Sequence, residues 1–365
     1  MLDLATVSLA YAHGQPPVQG NIRTTPEDFQ VREIPLLEPD GAGEHAWVKV
    51  QKRNATTITV AEQLARHAGI HPRNVSYAGL KDRNAVTEQW FSVQLPGRAM
   101  PDWAAIGADS FTVLRHARHS RKLRRGALRG NAFRICIRDL HADPVALERR
   151  LQLVAEDGVP NYFGEQRFGR DGGNLRTADR LFRNPARRLS RNQRSLALSA
   201  VRSFLFNRVL SERVAAGSWN RPIPGDALQL QGSHSFFVAP DIDATLQARV
   251  QAGDIHPTGP LHGRGEPPVQ GACLALERRV LADYPDWLQG LEAAGLKQDR
   301  RALRLPVPDL RWRLAAPDRL VLEFSLPAGA YATSVLRELV VNEAAGGVMP
   351  CSPGLQGQRC ERSST

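Results

Sequence analysis

The chain has 365 residues, with 48 Lys and Arg against 37 Asp and Glu, for a formal net charge of +11. That length suits about two domains, or one large fold with an insertion, and the apolar content is ordinary for a packed core. No apolar run approaches a membrane span, and the first residues lack a basic segment followed by an apolar stretch and a cleavage site, so a cytoplasmic protein is expected.

In chain order, residues 24–33 read as a turn followed by apolar and polar alternation, and residues 45–50 alternate again, so the chain opens on short strands. Thr59 with Glu62 three residues on fits a capping box for a helix to about His67, which Gly69 stops. Residues 74–78 and 86–95 carry strand-like content on either side of a polar turn that holds Asp82. Residues 111–114 and 133–137 read as strands bracketing a basic loop. Asp143-Pro144 then gives a cap and a first-turn proline to a helix through about residue 155.

Residues 161–169 form a Gly-, aromatic- and Arg-rich connector, after which the pattern turns helical. The strongest helix spans about 192–215, with Leu196, Val201, Leu205, Val209 and Val214 among its apolar residues. Residues 252–270, rich in Gly, Pro and His, read as an exposed loop. Residues 319–326 form a strand, Pro327 to Tyr331 a turn, and a helix follows through about residue 341. This order gives an α+β fold. Residues 1–157 and 307–344 make one body, a more helical segment is inserted at 158–306, and residues 345–365 form a disordered tail.

From Arg115 to Arg138 nine cations occur without one Asp or Glu: Arg115, Arg118, Arg121, Lys122, Arg124, Arg125, Arg129, Arg134 and Arg138. A second run holds Arg180, Arg183, Arg187, Arg188, Arg191 and Arg194. Either could be a solvated face, but clusters that repel themselves are commonly neutralised by a polyanion, and the first run favours nucleic acid.

No phosphate loop, dinucleotide fingerprint, metal-ligand helix or nucleophile elbow is present, and no cofactor is implied. Cys136, Cys273, Cys351 and Cys360 are far apart without C-x-x-C spacing, so neither a disulfide framework nor a zinc site is expected. His67 and His71 read as surface residues rather than ligands. What remains is Asp82, on a loop braced by strands and flanked by Lys81 and Arg83. It reads as an ion-paired turn carboxylate, or as a carboxylate kept ionised for nucleophilic or electrostatic work. The residues alone leave both open. Glu88 nearby reads as a structural polar group, and Arg167 as a junction anchor or a phosphate contact.

The pattern Gly79-x-Lys81-Asp82-x-x-Ala85-x-Thr87-x-Gln89 resembles the catalytic motif of the TruD family of tRNA pseudouridine synthases. Other segments fall in that family's order. They are Pro26-Glu27-Asp28-Phe29-x-Val31-x-Glu33, Gly130-Asn131-Ala132-Phe133, Asn161-Tyr162-Phe163-Gly164-x-Gln166-Arg167-Phe168-Gly169, Arg194-Ser195 with Phe206-Asn207, and the run from Pro327 to Glu338. The resemblance implies a pseudouridine-synthase-type mixed or antiparallel sheet with an inserted α+β TRUD domain. It also implies a cofactor-free, metal-free isomerisation of uridine in tRNA, at position 13 in bacterial members, by a monomer. Asp82 matches the catalytic aspartate, and Phe29, Asn131, Phe133 and Tyr331 match positions that line the pocket. Arg23 stands where the family commonly has lysine and is expected at phosphate, as are Arg121, Lys122, Arg124 and Arg125. An RNA-binding protein without catalysis and a nucleoside hydrolase are the rival readings.

Overall fold

The computed structural model describes residues 8–106 and 109–342; the tail expected at 345–365 lies outside the described residues. The chain begins with β1 (Val18–Ile22), β2 (Phe29–Pro35), β3 (His45–Arg53), α1 (Thr57–His67), β4 (Val75–Tyr77), β5 (Val86–Gln94), β6 (Phe111–His119), β7 (Leu128–Ala142) and α2 (Pro144–Asp157). A middle stretch holds β8 (Val159–Pro160), α3 (Gly173–Arg183), α4 (Arg191–Ala215), β9 (Asp226–Leu230), β10 (Phe236–Ala239), α5 (Ala244–Gln251) and β11 (Ile255–Leu261). It continues through α6 (Gly271–Leu281), α7 (Pro285–Ala293), β12 (Asp299–Ala302) and β13 (Arg304–Leu305). The chain returns through β14 (Arg311–Ala316), β15 (Arg319–Pro327), α8 (Ala332–Leu339) and β16 (Val341–Asn342). Among the described residues no helix is long and apolar enough to cross a membrane.

Both ends of the chain share one mixed sheet, ordered β14-β15-β7-β2-β5-β3-β6, with β1, β4 and β16 attached. β2 and β5 run parallel, β1 and β16 run parallel, and the other pairs are antiparallel. Because side chains alternate between faces, the register sets Phe324, Phe133, Val31, Thr87 and Lys52 in one row on one face. Leu326, Asn131 and Glu33 form the next row. At one end of this face α2 and α8 bury Leu151, Val154, Val335 and Leu339 against Ile135, Ile137 and Leu322. At the other end α1 buries Val60 and Leu64 against Val48, Val50, Phe91 and Val93.

The middle stretch has its own four-stranded sheet, β10-β9-β11-β12, and apolar clusters around α3, α4, α6 and α7. It leaves and rejoins the first sheet's strands side by side, since Val159 pairs with Leu305 and Pro160 with Arg304. Gly158 makes this possible: its φ is +73°, and a Cβ there would lie 2.4 Å from the Leu305 carbonyl oxygen. The Arg213–Asp226 pair (2.8 Å) and the Arg300–Glu277 pair (2.7 Å) are buried in this stretch. Cys273 beside them is buried, and burial with the nearby carboxylates pushes its thiol well above the usual range, so it is inert.

Several elements differ from the sequence reading. Residues 252–270 are not an exposed loop, because they contain β11, which is buried and central in its sheet. Its two prolines fit because β9 pairs with residues 255–257 and β12 with 258–261, so neither partner demands a full ladder. Helix α1 starts two residues before Thr59, capped by Thr56, whose hydroxyl accepts from Thr59 N at 3.1 Å. The basic loop is shorter than expected, since β6 and β7 extend into it, and α8 ends at Leu339 so that Val341 can pair with β1.

Candidate active site

The Asp82 loop joins β4 to β5 and is fastened from beneath. Gln89, the fourth residue of β5, donates from Nε2 to Gly79 O (3.0 Å), while its Oε1 accepts from Thr57 Oγ1 (3.0 Å). Thr57 Oγ1 in turn accepts from Lys81 N (3.0 Å). Lys52 is 1% exposed and donates from Nζ to Asp82 O (2.6 Å) and Ala55 O (2.8 Å). Burial brings its pKa down to about 8, with the Lys81 charge acting the same way and the Asp82 charge opposing.

The cations that flank Asp82 in sequence are not its ion-pair partners, which corrects the expectation drawn from their adjacency. Lys81 turns under the loop to a buried ion pair with Glu33 Oε2 (2.7 Å), whose Oε1 accepts from Trp90 N (3.2 Å). Arg83 points to solvent. Asp82, with its side chain 40% exposed, meets Arg23 instead, Nη2 to Oδ2 at 3.4 Å. Arg23 has a left-handed backbone (φ +61°), and its guanidinium lies 4.0 Å from the centroid of the Phe29 ring.

These groups border a cleft of about 470 Å³ on the sheet face between the two helical layers. Its lining contains Asp82, Arg23, Phe29, Asn131, Phe133 and Tyr331, so six of the predicted site residues meet in one place. Phe29 and Phe133 are buried in its floor, edge to face at 6.2 Å, and Phe133 stacks on Phe324 at 5.4 Å. Tyr331 is half-buried on the rim, edge-on to Phe163. It is carried there by register. β15 pairs Leu326 with Asn131 and Pro327 with Gly130, where a Cβ would lie 2.2 Å from Leu326 O. The turn that follows is held by Ala328 N to Arg129 O (3.1 Å) and by Arg301 Nη2 to Gly329 O (3.3 Å).

Three buried polar atoms in the lining residues lack a hydrogen-bond partner among the described residues: Arg23 Nε, Asn131 Oδ1 and Thr333 Oγ1. A donor, an acceptor and a hydroxyl left unpaired together suit a ligand with both donors and acceptors. Thr333 and Gln166, which also lines the cleft, were not singled out, although both fall inside motif segments. Gln89 and Glu33 were likewise visible only as motif letters, and Lys52 lies outside every motif.

Arg121, Lys122, Arg124 and Arg125 lie outside the cleft, exposed on the loop between β6 and β7. That loop abuts the Asp82 loop: Gly126 N donates to Ala78 O (2.8 Å), and Arg125 Nη2 donates to Tyr77 Oη (3.3 Å). The ends of the basic run are paired with acids, Arg115 with Glu38, Arg134 with Glu323 and Arg138 with Asp28. Arg167 is a junction anchor, donating to Ser203 Oγ (3.2 Å) and Ser199 Oγ of α4. Glu88 faces away from the cleft and pairs with Lys49 (2.9 Å). His67 donates from Nε2 to Asp102 O (2.8 Å), His71 Nδ1 accepts from Arg73 N (3.2 Å), and among the described residues no group of three or more His, Cys, Asp or Glu could hold a metal ion.

A family model described as tRNA pseudouridine synthase D (TruD) matches residues 8–177 and 173–339. The chain is 54% identical to the tRNA pseudouridine synthase D of Methylococcus capsulatus over 91% of its own length and 94% of the relative's. It is 52% identical to that of Nitrosococcus oceani over 93% and 95%. A crystal structure of a putative tRNA pseudouridine synthase D from Methanosarcina mazei superposes with a TM-score of 0.71 at 23% identity, covering 91% of this chain and 96% of that one. That likeness concerns the fold.

Proposed function

Since the chain belongs to the TruD family of tRNA pseudouridine synthases, we propose that it isomerises a uridine of tRNA, at position 13, with Asp82 as the catalytic carboxylate. The N1–C1′ bond breaks, the uracil turns, and C5 joins C1′, with the C5 proton lost and N1 protonated. Atoms and oxidation state are conserved. An ionised Asp82 serves as nucleophile at C1′ or as counter-charge to an oxocarbenium-like centre, the problem that glycosidases solve with carboxylates.

The observation that carries this reading is the convergence of Asp82, Asn131, Phe29, Phe133 and Tyr331 on one cleft from both ends of the chain. A stacked base must leave its helix to reach Asp82, at a cost of a few kcal/mol. Aromatic stacking returns about 1–3 kcal/mol per base, and the unpaired Asn131 Oδ1 is an acceptor for a uracil imide N–H. Arg23 holds the carboxylate and is a further contact to backbone phosphate. Arg121, Lys122, Arg124 and Arg125 extend the binding surface along the RNA backbone. Residues 158–306 act as the inserted TRUD domain that flanks the cleft through the 161–169 connector, a division supported by the β8–β13 pairing. The chain acts as a monomer in this reading, and a tRNA substrate supports a cytoplasmic site of action.

The test is incubation of unmodified tRNA transcript with the wild type and with Asp82→Asn, followed by pseudouridine mapping and binding measurement. Product from the wild type, none from the variant and near-equal affinity are expected. Free uracil would point to a hydrolase, and binding without wild-type product would overturn the enzymatic reading.

A further inference from the structure

Leu80, two residues before Asp82, is 61% exposed and lines the cleft. Isolated exposed leucines are common and ordinarily mean nothing. Three features set this one apart. It is the only exposed large apolar side chain among the cleft-lining residues, because Phe29, Val31 and Phe133 are buried and Leu128 and Tyr331 are half-buried. It packs into none of the apolar clusters of the described residues. And its backbone is held on both sides, at Gly79 O by Gln89 and at Lys81 N by Thr57, so the side chain is displayed on a fixed support.

The neighbouring side chains make the display one-sided. Lys81 turns inward to Glu33, and Asp82 faces Arg23, which leaves Leu80 as the apolar projection of the loop. The exposed cations Arg124 and Arg125 stand on the adjoining loop. RNA neutralising those cations would present its stacked bases to an aliphatic side chain beside the carboxylate that the proposed reaction brings to C1′. Flipping a nucleotide leaves an apolar gap in the stack, and Leu is among the side chains used as wedges between base steps in other nucleic acids.

We propose that Leu80 is a wedge that enters the base stack and fills the space left by the target uridine. It acts before chemistry, favouring the flipped state without touching the breaking bond. The proposal rests on the synthase reading and concerns how a stacked uridine gains access to the cleft.

The test compares wild type, Leu80→Ala and Leu80→Met on two transcripts. One has the target uridine in its native stack, and the other has abasic nucleotides on both sides of it. With the stacked substrate, Leu80→Ala is expected to lower kcat about 10- to 100-fold, while Leu80→Met stays within about 3-fold of wild type. With the abasic-flanked substrate all three proteins should agree within about 3-fold. A 2-aminopurine placed next to the target should brighten on binding Asp82→Asn and fail to brighten with the Leu80→Ala, Asp82→Asn double variant. Equal losses on both substrates, or no loss on either, would overturn the wedge. Absence of product from the wild type is a separate outcome that overturns the synthase reading, and the fluorescence comparison still tests the wedge. Leu80 is exposed and in no core, so the variants are expected to unfold at the wild-type urea midpoint.

Discussion

Replacing Lys52 with Met tests whether an ammonium buried under the loop positions Asp82. The side chain donates two short hydrogen bonds to backbone carbonyls, one of them that of Asp82. Hydrogen bonds to a charged group contribute about 1.5–3 kcal/mol each, so about 3–6 kcal/mol is lost on substitution. Against this, a pKa brought from 10.5 to about 8 means that keeping Lys52 charged in the fold costs about 3 kcal/mol, which Met does not incur. The two effects largely offset, and stability near pH 7 should change by no more than about 3 kcal/mol. Stability against pH separates them. Between about pH 8 and 10.5 the unfolded chain keeps the Lys52 proton that the folded chain has released, so rising pH favours the fold. Urea unfolding from pH 7 to 10 should show wild type gaining up to about 3 kcal/mol over Lys52→Met across that window. A wild-type-minus-variant difference that stays flat would refute the buried ammonium. In turnover, a loop displaced by about 1 Å can cost about 100-fold, so kcat should fall steeply while tRNA affinity, to which an inward-facing side chain contributes nothing, holds.

Glu33→Gln leaves the Lys81 ammonium buried without its counter-charge and should destabilise the fold by about 3–5 kcal/mol in urea unfolding. Adding Lys81→Met should recover most of that loss, and failure to recover would mean that Glu33 acts through Trp90 N rather than through the pair. Changing Arg121, Lys122, Arg124 and Arg125 together to Gln should weaken tRNA binding and reduce the slope of log K against log salt by up to about 3. An unchanged slope would return that loop to an ordinary solvated face.

Much of the site was legible in the sequence because its residues sit in short local patterns. A strand, a polar turn and a second strand placed Asp82 on a braced loop, and the family motifs supplied Phe29, Asn131, Phe133 and Tyr331. What was illegible depended on pairings distant in the chain. Lys52 lies 30 residues from the carbonyl it holds, and neither its position in a strand nor its charge marks it out. β11 was missed because His256-Pro257-Thr258-Gly259-Pro260 has the composition of a loop. Only its partners, β9 on one side and β12 on the other, make it a strand.

The electrostatics of Asp82 show why local charge is a poor guide to local contact. Lys81 and Arg83 are its neighbours in sequence, yet the loop bends between them, so that Lys81 lies beneath it and Arg83 is exposed to solvent. The cation that does reach the carboxylate is Arg23, from the segment between β1 and β2, where a left-handed backbone aims the guanidinium across Phe29. Glu33, on the same sheet face as Phe29 and Val31, neutralises the cation that would otherwise compete for Asp82. The motif letters at 29, 33, 81 and 82 thus form one device. Glu33 takes the buried lysine, Phe29 supports the arginine, and the carboxylate is left half-exposed in the cleft with Arg23 as its one ion-pair partner among the described residues.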